Sequence, residues 1–208
     1  MDALNKILNA AVELFRQYGF KTITMDDIAR RAGISKKTLY QQFANKNEVV
    51  SEAVLWYSGK MYDLCMELTA GAENAVEAMV RIMNLIDDSY CQINPMALLE
   101  LQRYYPEGYD VFRNNLLKKD VEAIRTNIMS GMEDGLYREN IDPDIMARFH
   151  IESALMILQP NLMVSDRNSL QRVNQEISEH FLYGIMTPKG EKLYRKYKEK
   201  YTKQVSKI

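Results

Sequence analysis

The sequence lacks the features that build membrane spans, disulfide frameworks and metal sites. Its longest apolar runs fall far short of the roughly 18 residues that cross a bilayer, so we expect no membrane partner. Two cysteines, Cys65 and Cys91, stand without the CxxC spacing of metal or redox sites, which predicts neither a disulfide nor a bound metal. No basic and apolar leader opens the chain, and together these absences favour a cytoplasmic protein.

Proline and glycine, which interrupt helices, are also scarce, at five and nine of 208 residues. Apolar residues instead recur at intervals of three and four nearly throughout, and no alternating strand pattern of useful length occurs. This periodicity predicts an all-α protein. Cap, proline and glycine signals place the helices at residues 2–18, 24–43 (two short helices), 46–69, 72–92, 94–105, 108–131, 142–163 and 168–186, with a short basic helix after them.

The formal net charge of −1 conceals an uneven distribution. Residues 1–50 carry eight basic and five acidic side chains, residues 51–188 carry eleven and twenty-one, and residues 189–208 carry eight and two. An acidic body between basic ends suits a protein that contacts nucleic acid at one end only. For the basic tail alone, a solvated and frayed helix end is the simpler interpretation.

Catalytic motifs are missing as well. The two histidines are His150 and His180, and His150 stands two residues from Glu152, a spacing that does not share a helix face. Glycine-rich phosphate loops and the HExxH and GxSxG patterns are absent. The pairs Asp87/Asp88 and Asp142/Asp144 are more simply solvated or capping groups. The sequence therefore predicts neither an enzyme nor a cofactor.

Residues 24–43 carry the clearest local pattern in the chain. Thr24 is a helix N-cap residue with Asp27 three positions on, close to a capping box, and Ser35 is the next N-cap candidate. Gly33 lies between the two caps and permits a tight turn, and the second helix should end near Phe43. Hydrophobic staples support both starts, namely Ile23 with Ile28 and Ile34 with Leu39. Two short helices joined by such a turn are the geometry of a helix-turn-helix.

The second of these helices would enter the major groove with its N-terminal residues first. Its exposed face offers cations, hydroxyls and amides, which suit phosphate oxygens and base edges: Ser35, Lys36, Lys37, Thr38, Tyr40, Gln41 and Gln42. Polar side chains alone would fit a solvated surface helix equally well. The glycine turn and the paired staples favour the DNA-binding interpretation.

The N-terminal stretch closely resembles the DNA-binding domain of the TetR family of repressors. The resemblance covers residues 1 to about 50 and rests on Tyr18-Gly19-Phe20, Thr22 through Met25, Ile28-Ala29, Ala32 through Ser35, Leu39-Tyr40, Phe43 and Lys46. It implies a three-helix DNA-binding domain at residues 1–47 and a larger helical ligand-binding and dimerisation domain at residues 48–208. Beyond residue 50 the chain matches the family in length and helical character alone.

The resemblance also implies roles at matching positions. It assigns phosphate contacts to Thr24, Tyr40 and Lys46. It assigns the groove-facing positions to Ser35, Lys36, Lys37 and Thr38, of which the two lysines are the first candidates for base edges, with Gln41 next. Gln42 departs from the aromatic residue that many members carry, so a phosphate contact there is not carried over.

As a family member, the chain would bind a palindromic double-stranded operator as a homodimer. The family implies that the last two long helices pair across the dimer through two apolar stripes, although such stripes equally fit an intramolecular core: Ile145, Phe149, Ile157 and Leu158, then Leu170, Val173, Ile177, Phe181 and Ile185.

Tyrosine and methionine are abundant between residues 51 and 160, which suits an adaptable apolar pocket or an ordinary core. The ligand candidates are Tyr57, Met61, Met79, Met83, Tyr90, Tyr104, Tyr105 and Met156. The expected function is that of a repressor released from DNA by a small, largely apolar effector. The alternative is a helical ligand-binding or scaffold protein without DNA binding.

Overall fold

The computed structural model describes residues 3–156 and 167–205, which fold into helices throughout. The helices are α1 (Ala3–Tyr18), α2 (Met25–Ala32), α3 (Lys36–Gln42), α4 (Lys46–Ala70), α5 (Ala75–Cys91), α6 (Pro95–Tyr104), α7 (Pro106–Asn115), α8 (Val121–Glu133), α9 (Pro143–Leu155), α10 (Arg167–Ile185) and α11 (Pro188–Val205). The all-α prediction is confirmed: the described ranges hold no β-strand, and their one isolated bridge joins Tyr137 to Met186. None of the helices in these ranges combines the length and apolar character of a bilayer span.

The region predicted as one helix at residues 108–131 is three elements. The preceding helix ends at Tyr104, before Pro106 as expected, and Pro106 itself begins α7, because a proline in the first helical turn costs no backbone hydrogen bond. A π-helical turn then runs over Leu116–Asp120, with Val121 N–H donating to the Leu116 carbonyl, before α8 continues in the α-helical register. Periodicity could not show this turn, since its apolar spacing continues that of its neighbours.

The basic tail is a packed helix, not the frayed end that its charge favoured. Helix α11 is 18 residues long, and Tyr194 and Tyr197 are almost fully buried. Together with the partly buried Tyr201 these tyrosines recur at intervals of three and four, which forms an apolar stripe facing α5. The basic residues of α11 flank this stripe of aromatic rings. The sequence-based prediction relied on the net charge of the tail and not on the spacing of its tyrosines.

The described residues form two hydrophobic cores. The first joins α1, α2 and α3 to the opening turns of α4, and it also takes Ala97 and Leu101 from α6, both nearly inaccessible to solvent. The second joins α5 and α8 to α11. Helix α6 therefore completes the core of the N-terminal domain, although it is distant from that domain in sequence.

A buried carboxylate ties α11 to α5. The Glu77 side chain is fully inaccessible to solvent and accepts hydrogen bonds from Tyr201 Oη at 2.6 Å, Glu73 N at 2.8 Å, Arg81 Nη2 at 3.1 Å and Lys200 Nζ at 3.2 Å. Burial by itself raises the pKa of a carboxyl, but these donors together outweigh burial and lower the pKa of Glu77 to about 2. The group is thus a charged, fully satisfied link between two helices.

Asp87 is buried in the interior of α5, so its interpretation as a solvated or capping carboxylate was wrong. Its oxygens accept hydrogen bonds from Asn174 Nδ2 at 2.9 Å and Gln175 Nε2 at 2.8 Å, which join α5 to α10. Burial raises the pKa of Asp87 against the opposing effect of these two donors. Asp88, the next residue, is exposed as predicted.

Candidate DNA interface

The start of α2 is fixed by a reciprocal capping box. Thr24 Oγ1 accepts from Asp27 N at 3.2 Å, and the Asp27 carboxylate accepts from Thr24 N at 3.0 Å. The hydrogen bonds from Thr24 hold the pKa of Asp27 below its usual value, and the Arg30 charge adds to them. Because the Thr24 side chain is already engaged, it positions the N-terminus of α2, where the free N–H groups favour a phosphate.

The turn between α2 and α3 depends on the backbone of Gly33. Its φ of +68° lies in the left-handed region, where residues with a Cβ are strained. No atom lies within 4 Å of the position that a Cβ would take, so conformation and not space requires glycine here. Ser35 then caps α3 by accepting a hydrogen bond from Thr38 N at 3.0 Å. The helix-turn-helix thus has the two caps and the glycine that its sequence predicted.

Helix α3 is held to the domain by one buried face and presents the other to solvent. Leu39 and Phe43 are buried in the N-terminal core, whereas Tyr40 is about half exposed at 46%. The hydroxyl groups of Ser35 and Thr38 lie 2.8 Å apart and hydrogen-bond to each other. The structure therefore brings the predicted groove-facing residues onto one accessible helix.

The two lysines at the start of α3 differ in their surroundings. Lys36 Nζ lies 2.8 Å from an Asp26 carboxylate oxygen, and this hydrogen bond raises the pKa of Lys36. Lys37 has neither an ion pair nor a side-chain hydrogen bond within the described part of the chain. Lys36 must leave Asp26 to reach a base or phosphate, whereas Lys37 is ready to bind.

Lys46, the expected phosphate contact at the start of α4, is already occupied. Its Nζ donates to the Phe20 carbonyl and lies 5.4 Å from the centre of the Tyr105 ring. The ammonium group therefore contacts the turn after α1 on one side and the α6–α7 junction on the other. A phosphate oxygen would have to share or replace these contacts.

Replacing Lys46 with alanine is expected to weaken binding to every DNA sequence and to reduce the salt dependence of log K by about one unit, since one phosphate contact is lost. Fluorescence anisotropy titrations at four salt concentrations measure the slope. Lys60→Ala is the matched control, because Lys60 lies on the same helix with its Nζ 3.7 Å above the Trp56 ring. An unchanged slope for the Lys46 variant would remove this residue from the interface.

The predicted ligand residues are not gathered around one cavity. Met79 is buried in the second core and Met83 packs against it, while Met61 is partly buried and Tyr104 and Met156 are exposed. Tyr57 contacts Arg16 and Tyr105 contacts Phe20, so both tyrosines lie against the N-terminal domain. The Tyr90 side chain lies outside the described residues. Of the clefts found among described residues, one of about 590 Å³ lies between α1 and α2 and one of about 60 Å³ lies beside Tyr105.

Comparisons with known proteins agree with this geometry. Residues 7–53 match the family model of bacterial regulatory proteins of the tetR family. The HTH-type transcriptional regulator YvaF of Bacillus subtilis strain 168 is 24% identical over 182 residues, which cover 86% of this chain and 94% of YvaF. The HTH-type transcriptional repressor KstR2 of Mycolicibacterium smegmatis is 24% identical over 197 residues, which cover 90% of this chain and 93% of KstR2.

A solved structure supports the fold over the same extent. The fatty acid degradation regulator FadR from Bacillus halodurans superposes with a TM-score of 0.66 at 19% identity, and the match covers 88% of this chain and 96% of that one. The fold and the helix-turn-helix define a DNA-binding transcriptional regulator. Within the chain, the match to the tetR family is that of residues 7–53, and the relatives along most of its length are HTH-type transcriptional regulators.

Proposed function

We propose that the protein is a repressor that binds a palindromic operator as a homodimer and leaves it when a small, largely apolar ligand binds. The observation that carries the DNA-binding step is the exposed polar face of α3, which is held in place by Ser35, Gly33 and the buried Leu39. Repression is supported by KstR2, a relative along most of the chain that is named a repressor. In this proposal residues 1–47 read the DNA and residues 48–208 bind the ligand and dimerise.

An exposed apolar face supports the homodimer. Ile145, Phe149 and Met156 are 60%, 51% and 46% exposed, and their spacing of four and seven places them on one side of α9. In the stripe predicted on α10, Leu170, Phe181 and Ile185 are buried in the chain's own core. Ile157 and Leu158 lie outside the described residues. The proposed dimer therefore uses the outer face of α9, with α10 supporting it from behind.

Phe149→Asp is expected to raise the dimer dissociation constant by at least about tenfold, because a charge would replace an aromatic ring at the centre of the proposed interface. Sedimentation equilibrium measures this constant directly. Leu55→Asp is the matched control, since Leu55 is similarly exposed but lies on α4. Equal association of both variants would place the interface elsewhere.

The ligand is proposed from composition and from a neighbour in structure. Methionine and tyrosine side chains adapt to apolar molecules, and Met79, Met83 and Met61 lie in or beside the helical core. The neighbouring structure is named a fatty acid degradation regulator, so saturated fatty acids are the first compounds to test. A ligand releases the DNA when it prefers a state of the helical domain that does not fit the operator.

In vitro selection from random duplexes tests the proposal, followed by anisotropy titration of the selected site with and without fatty acids. The expected result is an inverted repeat that the protein binds in the nanomolar range, as specific DNA-binding proteins typically do. Folded protein that retains no duplex at low salt would contradict the proposal and support a helical scaffold. Selected DNA that no fatty acid releases would contradict this ligand class.

A further inference from the structure

The turn that joins α1 to α2 is held by α6, which is distant from it in sequence. The Lys21 backbone N–H donates to the Glu100 carboxylate at 2.8 Å, across 79 residues of sequence. Lys21 Nζ lies 5.2 Å from the centre of the Tyr104 ring, and the Phe20 and Tyr105 rings lie 5.9 Å apart. Helix α6 and Tyr105, the residue after it, therefore contact Lys21 and Phe20 of the turn.

The N-terminal end of α6 is attached to the end of α1. Asn94 N donates to the Arg16 carbonyl at 2.6 Å, and Arg16 Nη2 donates to the Ser89 carbonyl at 3.1 Å. The Arg16 guanidinium also lies 4.9 Å from the centre of the Tyr57 ring. The Tyr57 hydroxyl in turn lies 3.1 Å from Ser89 Oγ. The hydrogen bonds of Asn94 and Glu100 thus join α6 to the DNA-binding domain at two separate points. Two such points fix the orientation of the DNA-binding domain relative to α6 as well as its position.

Gly19 shows how close this approach is. Its φ of +84° lies in the left-handed region, and a Cβ at this position would stand 2.6 Å from Glu100 Oε2. The backbone conformation therefore requires glycine at residue 19, and a Cβ there would displace the Glu100 carboxylate. Gly33 has a similar conformation with no atom within 4 Å of its Cβ position, so it offers a comparison in which only the conformation matters.

We infer that Glu100 is a specificity-determining residue for the spacing of the two operator half-sites. The inference rests on the proposed operator binding by a homodimer. In a two-fold dimer the separation and twist of the two reading helices must match the DNA, and one added base pair changes them by about 3.4 Å and about one tenth of a turn. A domain whose orientation is fixed by the Glu100 contact rejects such a change, whereas a domain released from it can rotate to accept it.

The inference is tested with the 208-residue chain and with inverted repeats of the selected half-site, in which the spacer is one base pair shorter, unchanged or one base pair longer. Wild-type protein is expected to prefer one spacer strongly. Glu100→Ala is expected to keep the same half-site sequence while its discrimination among spacers falls by about tenfold, the size of one lost hydrogen bond to a charged group. Glu100→Gln keeps an acceptor oxygen and is expected to restore the wild-type profile.

Control variants separate spacing from stability. Met96→Ala alters an exposed side chain of the same helix and is expected to leave the profile unchanged. Gly19→Ala displaces the carboxylate and is expected to broaden the profile, whereas Gly33→Ala is expected to weaken all spacers equally. If Glu100→Ala fails to fold, the two glycine variants still test whether the Glu100 contact sets the preferred spacer.

Identical spacer profiles for wild type and the Glu100→Ala and Gly19→Ala variants would overturn this inference but not the proposed function. A wild type that binds no duplex would overturn the proposed function and this inference with it.

Discussion

Glu77→Ala is expected to lower the free energy of unfolding by about 3 kcal/mol, the largest effect on stability that we expect from a single substitution in this chain. Removing the carboxylate leaves Arg81, Lys200, Tyr201 and the Glu73 N–H without their shared acceptor between α5 and α11. Urea denaturation followed by circular dichroism measures the change. Glu67→Ala, an exposed carboxylate on α4, is the control and should change stability by less than about 0.5 kcal/mol.

The same contact predicts how stability depends on pH. The pKa of Glu77 is about 2 in the folded protein and near 4.5 in the unfolded chain, so between these values the unfolded chain binds the extra proton. The stabilisation is therefore complete above about pH 5 and is lost as the pH falls towards 2. Glu77→Gln should be less sensitive to acid than wild type in this range. An equal loss of stability in the two proteins as the pH falls would contradict the assignment of this pH dependence to Glu77.

Lys37→Ala is expected to abolish the preference for one base pair in the operator, at a cost of about 1–3 kcal/mol on the wild-type site, or about 5- to 150-fold in affinity. The reason is that Lys37 lies at the start of α3 and, among the described residues, has no ion pair or side-chain hydrogen bond to break before it reaches a base edge. Repeated in vitro selection with the variant measures the preference position by position.

Lys36→Ala is the matched comparison for the neighbouring lysine. Lys36 must first break its ion pair with Asp26, so its contribution to binding should be smaller, and Asp26→Asn should strengthen binding by releasing it. Selection of the same site by wild type and the Lys37 variant would remove Lys37 from base recognition.

The sequence predicted local structure well because the relevant signals are local. The caps Thr24 and Ser35 and the left-handed Gly33 act within three or four residues, and the bounds of α2 and α3 follow from them. Contacts between distant residues have no such signal. Nothing near Lys46 indicated that it would donate to the Phe20 carbonyl, and nothing near Glu100 indicated Lys21.

Charge was a misleading guide where aromatic spacing was informative. The basic composition of residues 189–208 favoured a solvated tail, yet Tyr194 and Tyr197 bury α11 against the body. The apolar stripe of α10 was ambiguous for a different reason, because helix periodicity does not tell whether the partner of a stripe lies in the same chain. The functional residues of α3 remain predictions until DNA binding is measured.

The position of α6 limits how this protein can be recombined with its relatives. Ala97 and Leu101 fill the hydrophobic core beneath the helix-turn-helix, so a graft that transfers the first fifty residues to another body leaves that core incomplete. The recipient must supply small and branched apolar side chains at matching places, or the grafted segment must bring its own α6. In lineages that exchange DNA-binding segments, sequence at these two distant sites should therefore change together with the segment they support.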